Sequence, residues 1–261
     1  MVARGELRGG IAAFLANATF AAVTARDRAG RLWTSPLVGS PGFLTAASPT
    51  SLVIAATPNA EDPLHDLPGG QQVGLIVMDF ATRRRLRING TLSTVDASGL
   101  TVDVVQAYGN CPQYIHPREL RRDEPVHDDP TLIRHAGALE PDDVHQLQSA
   151  DTFFLGTTHP DYGNDASHRG GPAGFVRADA HTVWWPDFPG NNMFNSLGNI
   201  SVDPATALLF VDFHSGRTVQ LSGRAVLQWG EARDERSVRF NVDDVVVTSR
   251  PALTAREATR P

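Results

Sequence analysis

Alternation between apolar and polar side chains is the dominant pattern of this chain. In "RTVQLSGRAVL" (217–227), Val219 and Leu221 share one face while Thr218, Gln220 and Ser222 share the other, the period of a half-buried strand. "LRINGTLS" (86–93) repeats it, with Leu86, Ile88 and Leu92 inward and Arg85, Arg87 and Asn89 outward. "AAVTARDRAGRLW" (21–33) and "TFFLGTTHPDYG" (152–163) each read as strand, turn, strand, and the two "DF-x-x-x-R" segments read as tight hairpins. Many short strands, with turn signals every 8–12 residues or so, predict barrels rather than a helical or layered α/β fold. Helical spacing occurs in few places. Ile11, Leu15 and Ala18 suggest a short N-terminal helix, Pro141 followed by two acids suggests a helix start, and Met193, Leu197 and Ile200 give an i, i+4, i+7 face.

The pattern occurs twice. "GLIVMDFATRRRLRINGTL" (74–92) aligns with "ALLFVDFHSGRTVQLSGRA" (207–225), pairing Asp79-Phe80 with Asp212-Phe213, Arg84 with Arg217 and Gly90 with Gly223 at an offset of 133. "SPLVGSPGFL" (35–44) aligns with "SHRGGPAGFV" (167–176) at an offset of 132, and Val23-Thr24 matches Gly156-Thr157 at 133. Ordered matches at nearly one spacing predict two copies of one domain. The expected organisation is a helical segment at 1–19, a first six-stranded barrel at 20–116, a charged linker with a short helix at 117–150, a second six-stranded barrel at 151–250 and a tail at 251–261.

Composition narrows the chemistry. The formal net charge is −6, which argues against nucleic acid and against an anionic membrane surface as partners. All 23 basic residues are Arg, so Schiff-base and P-loop lysine chemistry are excluded. The single Cys111 forbids an internal disulfide and reads as a small packed residue rather than a nucleophile. No secretory signature opens the chain and no apolar run reaches membrane-spanning length, so a cytoplasmic protein is expected. Metal-ligand spacings such as H-x-x-x-H or C-x-x-C are absent, and so are G-x-G-x-x-G and G-x-x-x-x-G-K-[ST]. A metal site and a Rossmann or P-loop nucleotide site therefore have no support.

One stretch invites an anion. In "WWPDFPGNNMFNSLGN" (184–199) a strand gives way to a turn carrying Asn191 and Asn192 and then to a helix. Helix starts expose unpaired N–H groups at the positive end of the dipole. An Asn there is equally an ordinary N-cap.

The run "ADTFFLGTTHPDYGNDASHRGGPAGFV" together with "WWPDFPGNNMFNSLGNISVDPATALLFVDFHSGRTVQLSGRA" resembles the pyridoxamine 5'-phosphate oxidase-like flavoproteins of the FMN-binding split-barrel fold. "RRRLRINGTL" and "YGNCPQYI" resemble the N-terminal half of two-barrel members of that group. The resemblance implies a mainly β fold of two tandem split barrels, an FMN between them and redox chemistry carried by the flavin. Carried over by position, it implies a cofactor cradle of Ser167, His168, Arg169, Asp187, Asn191, Asn192, Met193, Asn195, Gln220 and Ser222. The Asn-Asn turn departs from the Ser/Thr–Arg–Lys phosphate loop of the oxidase proper, so the phosphate charge has to be met elsewhere. Arg169, or Arg85 and Arg87 reaching across from the first copy, or the helix end alone, are the candidates.

In the first copy the matching turn, "ATPNAEDPLHDLPGG" (56–70), carries Glu61, Asp62 and Asp66, which would repel a phosphate in the turn and at the start of the helix expected after it. The expectation is a single cofactor site, on the second copy, walled by the first. An FMN-dependent oxidoreductase acting on a small molecule through a redox partner leads. A flavin- or haem-binding or sensing protein of the same fold, and a deazaflavin-dependent reductase, are the alternatives, with FAD a further cofactor. The two copies would form an internal pseudo-dimer, with a homodimer of whole chains left open.

Overall fold

The computed structural model describes residues 5–120, 130–189, 194–230 and 236–257. The first unit runs α1 (Gly10–Asn17), β1 (Phe20–Arg26), β2 (Leu32–Val38), β3 (Leu44–Ser48), β4 (Ser51–Ile54), β5 (Gln72–Asp79), β6 (Arg84–Asp96) and β7 (Gly99–Gly109). After it come β8 (Arg118–Leu120), β9 (Thr131–Ala136) and α2 (Pro141–Ser149). The second unit runs β10 (Thr152–His159), β11 (Gly163–Gly170), β12 (Arg177–Ala178), β13 (Thr182–Pro186), α3 (Asn195–Val202), β14 (Ala205–Val211), β15 (Arg217–Trp229) and β16 (Arg236–Ser249). β17 (Ala255–Glu257) closes the described chain.

The protein is mainly β, of the split-barrel type expected. The first sheet has the order β2-β1-β5-β6-β7-β4-β3 and the second β11-β10-β14-β15-β16-β13-β12, the same path with every strand moved on by nine. Each path holds seven antiparallel strands rather than six, because a short edge strand, β3 or β12, pairs with the fourth strand of its unit. The long strands β6 and β15 bend at matching places, with register shifts at Asn89/Gly90 and Ser222/Gly223. Glycine is required there: a Cβ on Gly90 would meet the Asp103 carbonyl oxygen at 2.2 Å, and one on Gly223 the Asn241 carbonyl oxygen at 2.1 Å.

Three further details differ from the sequence reading. Strand pairing sets Ala22 opposite Ile76 and Pro36, and Phe154 opposite Leu209 and His168. The first strands therefore correspond at an offset of 132, which places Thr24 against Gly156 rather than Thr157. The segment 117–150 is more than a linker with a helix. β9 adds to the second sheet beside β16, and β8 pairs with β17 from the tail. Neither showed in the pattern: β8 is the charged tripeptide Arg-Glu-Leu, and in β9 Leu132 and Ile133 stand side by side and exposed, so neither strand alternates apolar residues against a core. The helix expected after the acidic turn of the first copy does not form. Pro58, Pro63 and Pro68 interrupt that stretch, which is built of turns. Where Pro falls at the first helical position, at Pro141, α2 does form, with a capping box between Glu140 and Asp143.

Each unit has its own apolar core, and a third cluster joins them. Phe20 and Phe154 meet with ring centroids 5.1 Å apart, and Phe80 and Phe213, the phenylalanines of the two "DF" hairpins, meet edge-on at 5.2 Å. All four rings are buried. The joint carries polar contacts beside it, and these define the site.

Candidate functional site

On β6 the inward positions Leu86 and Ile88 enter the first core, which turns Arg85, Arg87 and Asn89 toward β11 of the second unit. Arg87 donates to Asp165 at 2.8 Å, across a pair almost wholly out of water. Asn89 donates to the other oxygen of Asp165 at 3.3 Å, and the Ser196 hydroxyl at the start of α3 lies 3.1 Å from both Asp165 and Ser167. Arg85 donates to Nδ1 of His168 at 2.8 Å. Asp187, at the end of β13, accepts from Arg169 on one oxygen and from Arg236 on the other, each at 3.2 Å.

These side chains surround a cavity of about 90 Å³ lined by Arg85, Arg87, His168, Arg169, Asp187 and Arg236, with Trp185 and Phe188 at its wall. Four guanidiniums face two carboxylates, Asp165 and Asp187, so the cluster holds excess positive charge. Burial and the neighbouring Arg87 and Arg169 lower the Arg85 pKa from the usual arginine range to about 10, which leaves it cationic near neutrality. Burial, then Arg87, also lowers Arg169, against the pull of Asp187. His168 falls well below 6.5, first through burial and then through Arg85, so its ring is neutral. Arginine cannot accept a hydrogen bond, so the Arg85 contact makes Nδ1 the acceptor and places the ring proton on Nε2. Among the described residues, Nε2 of His168, Nε of Arg85, Arg87 and Arg169, and the indole N–H of Trp185 are buried with no partner. Unpartnered buried donors in such number are costly in a finished core and ordinary in a binding site.

The structure brings Ser167, His168, Arg169 and Asp187 together as expected, and Arg85 and Arg87 reach across as expected. Asn195 does not line the cavity; it donates to the Tyr108 hydroxyl at 2.9 Å. Asn191, Asn192 and Met193 lie outside the described residues. Gln220 is elsewhere. Its amide donates to the Thr34 carbonyl, to Ser35 and to Asp62 of the first unit, and Ser222 follows it along β15. Cys111 is also misplaced by the sequence reading: it is exposed at the cavity mouth, not packed, because the Asn110–Tyr114 turn leaves β7 over solvent. Sequence reasoning missed Ser196, Arg236 and Tyr108; it placed the cradle on the strand "DASHR" (165–169) but gave Asp165 no role there. Asp165 was hidden because its strand, "GNDASHRG", is polar almost throughout, so an acid that needs a cationic partner once buried does not stand out.

The position of Gln220 explains itself through the matching of strands. Gln220 is to β15 what Arg87 is to β6, and Ser35 is to β2 what Ser167 is to β11. At this counterpart place Asp62 fills the space. It accepts from Ser35 at 2.5 Å, from the Leu64 N–H at 2.8 Å and from Gln220 at 3.3 Å, with Arg250 3.9 Å away. Burial raises the Asp62 pKa, opposed by Arg250 and these hydrogen bonds. Pro36 and Leu37 stand where the second unit has His168 and Arg169.

The match to a known family falls on the second unit. Residues 139–248 match the family model described as pyridoxamine 5'-phosphate oxidase, so the resemblance read in the sequence holds there. Among solved structures, the chain is similar to HupZ of Group A Streptococcus (12% identity, 40% of this chain and 90% of that one, TM-score 0.33). It is similar to HutZ, a haem-storage protein of Vibrio cholerae (10% identity, 42% and 94%, TM-score 0.33). A third is an FAD-binding protein of Mycobacterium smegmatis (15% identity, 44% and 99%, TM-score 0.30). No curated protein matches the chain. None of the helices among the described residues is long and apolar enough to cross a membrane.

Proposed function

We propose that this protein binds one FMN per chain, with its phosphate in the arginine-lined cavity, and serves as a flavin-dependent oxidoreductase of a small molecule. The observation that carries the reading is the set of buried, unpartnered donors on Arg85, Arg87, Arg169 and His168 around a cavity with excess positive charge. A phosphate monoester brings a charge of roughly −1.5 to −2 near neutral pH and three acceptor oxygens. That charge balances four arginines and two aspartates, whereas the single charge of a phosphodiester, as in a deazaflavin, leaves one in excess. A cavity of about 90 Å³ suits the phosphate end alone, so the ring system lies beyond it.

Flavin supplies the hydride chemistry when bound. The chain's own groups do the rest. Asp187 braces Arg169 and Arg236, Asp165 braces Arg87, and Arg85 fixes the His168 tautomer that donates from Nε2. A proton on Nε2 also removes the lone pair that this histidine would need to ligate an iron, which weighs against the haem reading at this residue.

The test is titration of the purified protein with FMN and with riboflavin, which lacks the phosphate. FMN is expected to bind at one per chain and to exceed riboflavin in affinity on the order of 100-fold, the worth of one or two charge-assisted hydrogen bonds. Equal affinities sink the phosphate reading. Reduction of the bound flavin by a nicotinamide donor, followed by reoxidation, then separates an enzyme from a binding protein.

A further inference from the structure

The cavity has a feature that FMN binding does not use. Cys111, the chain's single thiol, is exposed on the turn that borders the cavity, within electrostatic reach of Arg85. The same cavity holds the unpartnered, buried Nε2 of His168. The turn is held at its far end, where the Tyr114 hydroxyl donates to the Pro189 carbonyl at 2.9 Å and the ring stacks on Phe188 at 5.5 Å. An anionic group tethered to Cys111 therefore has a positively charged, hydrogen-bond-hungry cavity beside it.

We propose that Cys111 is a modification site for anionic low-molecular-mass disulfides, whose acidic half docks in the arginine cavity and closes it. In the step, the Cys111 thiolate attacks one sulfur of the disulfide, a new S–S bond forms, the old one breaks and the other half leaves as a thiolate. The incoming disulfide is the only oxidant required. Cationic walls concentrate anions and raise encounter rates, and salt screens the effect. The inference rests on the anion-binding reading of the cavity, not on the identity of the anion as FMN.

The experiment compares the rate of Cys111 with dithiobis(nitrobenzoate), a dianion, and with neutral dithiodipyridine, each relative to a neutral model thiol. The anionic reagent is expected to be favoured on the order of tenfold. Inorganic phosphate and molar salt should abolish that preference, as should Arg85→Gln. A preference no larger than that of the model thiol, or one indifferent to phosphate, overturns the proposal. Should Arg85→Gln fail to fold by circular dichroism, the salt and phosphate series on the unaltered chain decides. Failure of FMN to bind, with the anion preference intact, sinks the flavin reading and leaves this one. FMN binding without the preference does the reverse.

Discussion

Two places in this molecule are built from the same strands in the same order, and only one is open. Around Arg87 and Ser167, both units supply guanidiniums, whose Nε atoms are buried without a partner beside a cavity. Around Gln220 and Ser35, a carboxylate of the protein itself takes the space, held by three donors and beside Arg250. The difference lies in a few side chains. Arg87 against Gln220, His168 against Pro36 and Arg169 against Leu37 convert a charge-seeking place into a filled one while the backbone path is unchanged. Topology thus fixes where a site can stand, and the polar residues at a handful of strand positions decide whether it exists.

The comparison can be broken most forcefully at its closed end. Asp62→Ala strands the donors of Ser35 and Gln220 in the core, and denaturant unfolding should show a loss of about 3 kcal/mol. FMN stoichiometry should stay at one per chain. A second FMN would mean that Asp62 alone keeps the counterpart shut. At the open end, Arg85→Gln removes one cation and frees the His168 ring. Isothermal titration should show FMN affinity lower by about tenfold to a hundredfold, the worth of a charge-assisted hydrogen bond.

Two pH dependences sharpen the contrast. The folded His168 pKa lies below its unfolded value, so the unfolded chain takes up the proton first as pH falls. The stability it contributes is complete above about pH 6.5 and declines below it, with a slope of about 1.4 kcal/mol per pH unit, and His168→Gln should flatten that limb in melting curves. At the alkaline end, loss of the Arg85 charge as pH rises through about 10 should weaken FMN binding, since a deprotonated guanidine offers an anion no charge. The smallest effect belongs to Ser222→Ala. Because Ser222 follows Gln220 on β15 and does not line the cavity, FMN affinity should change by less than about twofold, a shift of under 0.5 kcal/mol.

Much of this was legible in the chain. Period-two alternation in "LRINGTLS" and "RTVQLSGRA" gave the long strands, and the repeat paired Gly90 with Gly223, although the bend they share and its cause, a carbonyl oxygen in the way, are visible only in the fold. Ser167, His168, Arg169 and Asp187 were placed by resemblance, and Arg85 and Arg87 by their outward face. Gln220 and Ser222 were misassigned because alternation tells which side of a strand a residue occupies but not which unit lies across from it. β8 and β9 escaped notice because short strands that bury little leave no periodic trace. Asp165 was overlooked for the opposite reason. Its partners, Arg87 and Ser196, are 78 and 31 residues away in the chain, and long-range pairing has no signature in a window.

The phenylalanine joint of Phe20, Phe80, Phe154 and Phe213 has one more consequence. In an assembly of two identical chains, any substitution is written twice, and a change that fills one site fills both. Here the halves are covalently one and share an aromatic seam, so each position is spelled once. An aspartate can plug one side while the other keeps its arginines, and asymmetry, which identical subunits cannot hold, becomes a heritable property of the fold.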